Sequence, residues 1–264
     1  MKKILLISSL ILFITSSCEK VIDLETSNTE PKMVIEAKYD AVNEEVFVKI
    51  SKTVDVFSTE DFPNISGATV QITDENGTTT DLIDQGDGTY LLENYTPVYN
   101  SLYSMKVNVE GVAYESSDYL NPIVPLDSLT QELQPSSSFF EGGYVVYMNL
   151  TDPVGENYYR AIRKVNGEYR RDLGDQFLFD DGFSEGNSQK VPLFSEFYQE
   201  DDTITVELLS YSDNSFTYFQ ELNAIAQGSD ASAAPANPTF RWSNDALGNF
   251  SVYGFDSKTI IIEE

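Results

Sequence analysis

ISGATVQITDENGTTTDLIDQGDGTYLL, residues 65–92, is the stretch whose reading decides the fold class. Short β-rich runs are separated by Asn76-Gly77 and Asp87-Gly88, the pairs that tolerate the positive φ angles of a two-residue hairpin turn. Read as such a turn, Asn76-Gly77 sets Val70 opposite Ile83, apolar against apolar. A further turn of this kind is expected at Glu110-Gly111. On the N-terminal side, MVIEAKY (33–39) and VFVKISKTV (46–54) alternate with period two. Val46, Val48 and Ile50 fall on one face, Phe47, Lys49 and Ser51 on the other. Residues 31–121 therefore read as an antiparallel sandwich of the immunoglobulin-like or transthyretin-like kind.

Working toward the C-terminus, NPIVPLDSLTQELQPSSS (121–138) holds three prolines and a serine run, and a domain boundary is placed near its start. The remainder, 122–264, reads as a second β-rich domain, so that the whole chain is all-β and mainly antiparallel. Strands are expected at YVVYMNL, YYRAIRKV, EYRRDL, TITVELLS, FSVYGF and KTIIIEE, with a turn at Asn166-Gly167. One helix is expected near 213–227. Asp213 is its candidate N-cap, Phe216, Phe219, Leu222 and Ile225 or Ala226 form its apolar stripe, and Gly228 is its stop. Such a stripe covers one face or end of a sheet.

The N-terminus has a different character. In MKKILLISSLILFITSSC, Lys2 and Lys3 precede an apolar run from Ile4 to Ile14, too short to span a bilayer, and then small residues. The cleavage region resembles a lipobox ending at Cys18, the only cysteine. Residues 1–17 are thus read as a lipoprotein signal peptide, Cys18 as the lipid attachment site, and 18–30 as an acidic tether. Several acyl chains hold a protein stably at a membrane where one does not. Glu19, Lys20, Asp23 and Glu25 loosely resemble a surface-export signal, which suggests exposure at the cell surface.

Charge narrows the function classes. The full chain carries −27, and loss of Lys2 and Lys3 leaves 14 basic against 43 acidic residues, or −29. Nucleic acid phosphates are repelled by such a surface. The chain has no histidine, which removes His-based triads, general bases and zinc sites. No phosphate loop, dinucleotide fingerprint or nucleophile elbow occurs, so no cofactor and no catalytic residue is assigned. A pair of carboxylates could serve a hydrolase, but 43 acidic residues make some pair inevitable. The acidic runs DQGDG (84–88) and DLGDQFLFDDGFSEGN (172–187) lack the spaced oxygen ligands of a calcium loop and read as solvated turns.

Two features remain as candidate sites. Arg160, Arg163, Lys164, Arg170 and Arg171 are the densest positive cluster, and the turn at 166–167 sets Arg163 opposite Arg170. Like charges so placed need a negative partner, either Glu168 and Asp172 of the same face or an external carboxylate, sulfate or phosphate. The adjacent Phe139 and Phe140, in a polar loop, are the candidate contact surface.

Several stretches together carry a resemblance: Cys18 with EKVIDLE after it, PKMVIEA (31–37), ISGATVQITDENG (65–77), DGTY (87–90), ENYYR (156–160) and ALGNFSVYG (246–254). In these the chain resembles an uncharacterised family of Bacteroidota outer-membrane lipoproteins, a domain of unknown function often encoded beside TonB-dependent receptors. Asn249 departs from the aromatic residue that members usually carry there. The resemblance implies a lipid-anchored outer-membrane protein, and the expected function is non-enzymatic, that of an accessory or substrate-capture partner of a TonB-dependent barrel. A free-standing, adhesin-like protein binding glycan or matrix is the alternative, and a carboxylate-dependent hydrolase a remote one.

Overall fold

The structure, a computed structural model, describes residues 30–55, 58–136, 141–171, 175–182, 186–194, 196–226 and 237–264. Residues 1–17, expected as a signal peptide, and Cys18, Phe139 and Phe140 lie outside the described residues. Pro31–Glu264 form one compact unit.

The first strands are β1 (Met33–Asp40), β2 (Glu45–Lys52), β3 (Thr69–Thr73), β4 (Thr79–Asp81), β5 (Ile83–Gly86), β6 (Thr89–Leu92), β7 (Ser101–Val109) and β8 (Val112–Leu120). There follow β9 (Leu126–Gln134), β10 (Gly143–Thr151), β11 (Tyr158–Val165), β12 (Glu168–Arg170), β13 (Phe177–Asp180), β14 (Ser188–Pro192) and β15 (Thr203–Tyr211). Helix α1 (Asp213–Ala226) and β16 (Phe250–Ile261) complete the described elements. As expected, the fold is all-β and mainly antiparallel with one helix among the described residues.

A long sheet in the order β12-β11-β15-β16-β1-β2-β6-β5, with β13 also on β11, forms the backbone of the molecule. Strand β16 joins its two halves. Its first four residues lie parallel to β1, Ala37 opposite Phe250, while Gly254–Ile261 run antiparallel to β15. FSVYGF and KTIIIEE, expected as two strands, are thus one continuous element. Two smaller sheets cover the long one: β4-β3-β7-β8 over one half and β14-β10-β9 over the other.

Strand parity shows that both covers lie on the same face, since alternate residues of a strand share a side. Phe250 and Val252 enter the first core with Ile35, Val48, Ile72 and Tyr103, and Ile260 and Ile262 enter the second with Met148, Tyr159 and Val206. All four, three in β16 and Ile262 just after it, have even numbers. The odd ones, Ser251, Tyr253 and Phe255, point to the opposite face, where α1 lies.

The expected break near residue 121 separates the cores but not the sheet. Residues 33–120 supply most of the first core and residues 124–262 the second, yet Trp242, Ala246, Phe250 and Val252 return to the first. Trp242 donates its indole N–H to the carbonyl of Ile35 on β1 at 3.0 Å.

The register at Asn76-Gly77 differs from expectation by one residue. Thr73 pairs with Thr79 and Ile72 with Thr80, and the Asp74 N–H donates to the Thr78 carbonyl at 3.0 Å, which leaves residues 75–77 as a three-residue loop. Asp74 is the cause: its Oδ1 accepts the N–H groups of Asn76 and Thr78 at 3.0 and 2.8 Å, and Gly77 takes φ +82°. This is the three-residue hairpin loop closed by a left-handed glycine. Consequently Val70 accepts the N–H of Leu82, which is buried, while Ile83 is exposed and moves to the other sheet. The turns at Glu110-Gly111 and Asn166-Gly167 do take the two-residue form, pairing Val109 with Val112 and Val165 with Glu168.

Helix α1 is capped one residue earlier than expected. Ser212, rather than Asp213, is the N-cap: its hydroxyl accepts the N–H of Ser215 at 3.1 Å and its carbonyl that of Phe216 at 3.0 Å. Asp213 accepts instead from the Thr217 hydroxyl at 3.5 Å. Of the expected stripe, Phe216 is buried, Phe219 stacks on Tyr211 at 5.4 Å, and Ile225 is exposed.

Candidate functional site

On the face opposite both cores, α1 covers the sheet incompletely. Beside it lies a groove of about 470 Å³. Its floor comes from five neighbouring strands: Glu36 and Lys38 of β1, Phe47 and Lys49 of β2, Arg160 and Ile162 of β11, Leu209 and Tyr211 of β15, Ser251 and Tyr253 of β16. Tyr218, Phe219 and Leu222 of α1 form the wall, and Asn249 closes one side just before β16. The positions on β1, β2 and β11 alternate with core residues such as Ala37, Val48 and Ala161, so period-two patterning places them here. The volume falls within the range of ligand sites, which are largely apolar with a few directed polar groups.

Three of those polar groups, Lys38, Lys49 and Arg160, are cationic against the single acid Glu36. Arg160 donates to the Tyr211 hydroxyl at 3.3 Å, and its guanidinium carbon lies 4.7 Å from the centre of the Phe219 ring. Among the described residues it meets no carboxylate within ion-pair distance. Lys38 approaches Glu45 at 3.7 Å and Lys49 approaches Asp87 at 3.6 Å, both at the rim. Burial holds the phenols of Tyr211, Tyr218 and Tyr253 above the usual tyrosine range, so they remain neutral; Arg160 partly offsets this at Tyr211. A second cavity of about 370 Å³ shares Lys38, Arg160 and Ile162 with the groove and adds Arg170, Arg171, Asp175 and Gln176. Four cations and one acid thus line it, in a chain of net charge −27.

Asn249 carries one further anomaly. It is 6% exposed, its amide nitrogen donates to Ser251 Oγ at 2.7 Å, and its Oδ1 accepts no hydrogen bond among the described residues. A buried polar atom without a partner costs about 1–3 kcal/mol, so such atoms call for an explanation.

The pair Arg163 and Arg170 is opposed as the turn dictates, but its side chains are held by carboxylates of the same chain. Arg163, 1% exposed, donates to Asp175 at 2.8 Å and to the Tyr198 hydroxyl at 3.1 Å, and approaches Glu196 at 3.6 Å. Arg170 Nε donates to the same Glu196 at 3.3 Å. Of the acids anticipated from the sequence, Glu168 is 3.9 Å from Arg170 Nη1 and Asp172 lies outside the described residues. Glu196 comes from the loop after β14, a proximity that nearby spacing could not reveal.

The consequence can be measured. Arg163→Gln is expected to lower unfolding stability by about 2–4 kcal/mol, because Asp175 and Glu196 lose the buried cation between them. Arg170→Gln, at the edge of the cluster, should cost within about 1 kcal/mol. Urea titration of both variants checks this, and equal small effects would show that the cluster carries no structural role.

Sequence reasoning located Arg160 within the basic cluster and set Phe47 and Lys49 away from the core. It did not bring Lys38, Tyr253 and Asn249 to the same place, since that follows from the parallel pairing of β1 with β16.

No curated protein matches the chain. A crystal structure of the chicken interferon gamma receptor alpha chain is similar over 69% of this chain and 89% of its own, with 12% identity and a TM-score of 0.21. The family model described as a domain of unknown function, DUF4249, matches residues 19–259, and the chain belongs to that family.

Proposed function

We propose that the chain is a non-enzymatic, lipid-anchored outer-membrane protein of Bacteroidota that serves as accessory partner of a TonB-dependent transporter, capturing substrate beside it. The groove is the observation that carries the reading. Guanidinium and ammonium groups, aromatic faces and neutral phenols are suited to holding a ligand. They are gathered on the one face that neither small sheet covers.

The sequence supports the placement. A tether of residues 18–30 reaches about 45 Å when fully extended, enough to carry the compact unit across the rim of a neighbouring barrel. Anchoring two proteins in one membrane raises their effective concentration, so a modest interface suffices.

Cross-linking in intact cells tests the partnership. With the native chain, an adduct of barrel size is expected, and with Cys18→Ala both membrane recovery and the adduct should fall by at least about tenfold. Full membrane recovery of Cys18→Ala would overturn the anchor. A native chain that cross-links only to glycan or matrix would favour the free-standing adhesin instead.

A further inference from the structure

We propose that the groove beside α1 is a binding site for a small organic anion with a flat aromatic body, its carboxylate or sulfonate seated between Arg160 and Lys38. This deepens the substrate-capture reading and rests on its binding role alone.

Three observations converge. The first is the state of Arg160. Its guanidinium is held in place by the Tyr211 hydroxyl at 3.3 Å and by the Phe219 ring, yet no described carboxylate neutralises it. A cation oriented by neutral groups on an otherwise acidic protein is a prepared anion seat, since planar guanidinium matches a planar anion. Lys38 stands on β1, separated from β11 by β15 and β16, and lines both cavities, as Arg160 does.

The second is the shape of the walls. Phe47, Tyr211, Tyr218, Phe219 and Tyr253 surround the space. Rings stack offset or edge-on against other rings, and they favour flat partners over branched ones. An aromatic body would lie along these faces with its charged end toward the shared Lys38 and Arg160. Glu36, also in the lining, would repel a second negative charge and so favours a monoanion.

The third is Asn249. Its amide, nine-tenths buried beside the groove, has one polar atom without a described partner. As placed, Oδ1 would accept from a ligand N–H or O–H. With the amide turned over, the Ser251 hydroxyl donates to Oδ1 and the amide N–H points to an anion. Either arrangement removes the orphaned atom.

The probe is 8-anilinonaphthalene-1-sulfonate, and its control is N-phenyl-1-naphthylamine, the same aromatic body without the sulfonate. Fluorescence titration uses residues 18–264 with Cys18→Ser, which keeps the whole compact unit. The sulfonate should bind at one site at least about tenfold more tightly than the neutral control, the worth of a charge-assisted hydrogen bond. Arg160→Gln should remove that preference while binding of the neutral control stays within about twofold. Since Arg160 also contacts Phe219, Lys38→Gln at the exposed edge of the seat is the second variant, expected to weaken the sulfonate about threefold with thermal unfolding unchanged. Equal affinity for the two probes, or sulfonate binding that survives both substitutions, would overturn the assignment. Either failure leaves the partnership with a barrel to its own test, since cross-linking does not depend on the groove.

Discussion

Gly248→Ala should destabilise the protein by at least about 3 kcal/mol, read as a lower urea midpoint with unchanged slope. Gly248 takes φ +97°, a conformation that costs other residues about 1–2 kcal/mol before any contact is considered. A Cβ here would also overlap the carbonyl oxygen of Ile35 and come within 2.8 Å of its carbonyl carbon. Neither atom can yield cheaply. Ile35 and Ala37 donate to the carbonyls of Leu247 and Asn249, both at 2.9 Å, and the Ile35 carbonyl receives the Trp242 indole. To move apart, the strands would break the contact through which β16 joins the two halves of the long sheet. An unfolding free energy within about 1 kcal/mol of the parent would mean that this crossing is looser than described.

Asp118 gives the second large effect, and one that depends on pH. From β8 its side chain, 1% exposed, accepts the Ser212 hydroxyl on one oxygen, and the Ser215 hydroxyl and Val252 N–H, both at 2.7 Å, on the other. It therefore ties the first sandwich to the start of α1 and to β16. Asp118→Ala leaves these donors without an acceptor and should cost about 4 kcal/mol at pH 5.

Burial pushes the carboxyl up to about 6 despite those bonds. A carboxyl raised on folding holds its proton longer in the native than in the unfolded chain. Its contribution is complete below the unfolded value of 3.8 and is lost as pH rises through about 6. Between pH 5 and pH 8 the stability advantage of the parent over Asp118→Ala should thus shrink by about 1.4 kcal/mol. Comparing parent and variant at each pH cancels the titration of the other acids. A gap that widened with pH would mean that the hydrogen bonds outweigh burial.

How much of this was legible depended on the range of each interaction. Local alternation placed Val46, Val48 and Ile50 inward and Phe47 and Lys49 outward, and Asn166-Gly167 fixed the opposition of Arg163 to Arg170. Where one side chain altered a turn, the reading slipped. Asp74 closes its loop with two hydrogen bonds, and Val70 faces position 82 instead of 83. Ser212 likewise displaced Asp213 as the cap, since Asp118 fixes it from a distant strand.

Strand β9, inside the proline-bounded stretch read as a boundary, went unrecognised. Its sequence LDSLTQELQ has few apolar residues because much of it is exposed at a sheet edge. The groove was legible only in part. Its residues come from β1, β2, β11, β15, α1 and β16, and the parallel contact of Ala37 with Phe250 has no local signature. Chemistry of type was visible as a basic cluster and many tyrosines; chemistry of place was not.

The proposed partnership is tested most directly by extracting the native protein from cell membranes in mild detergent and weighing what accompanies it by quantitative mass spectrometry. One TonB-dependent barrel in near-equal amount, retained through a second purification step, is expected. Recovery of the protein alone, acylated and folded, would contradict the proposed accessory role.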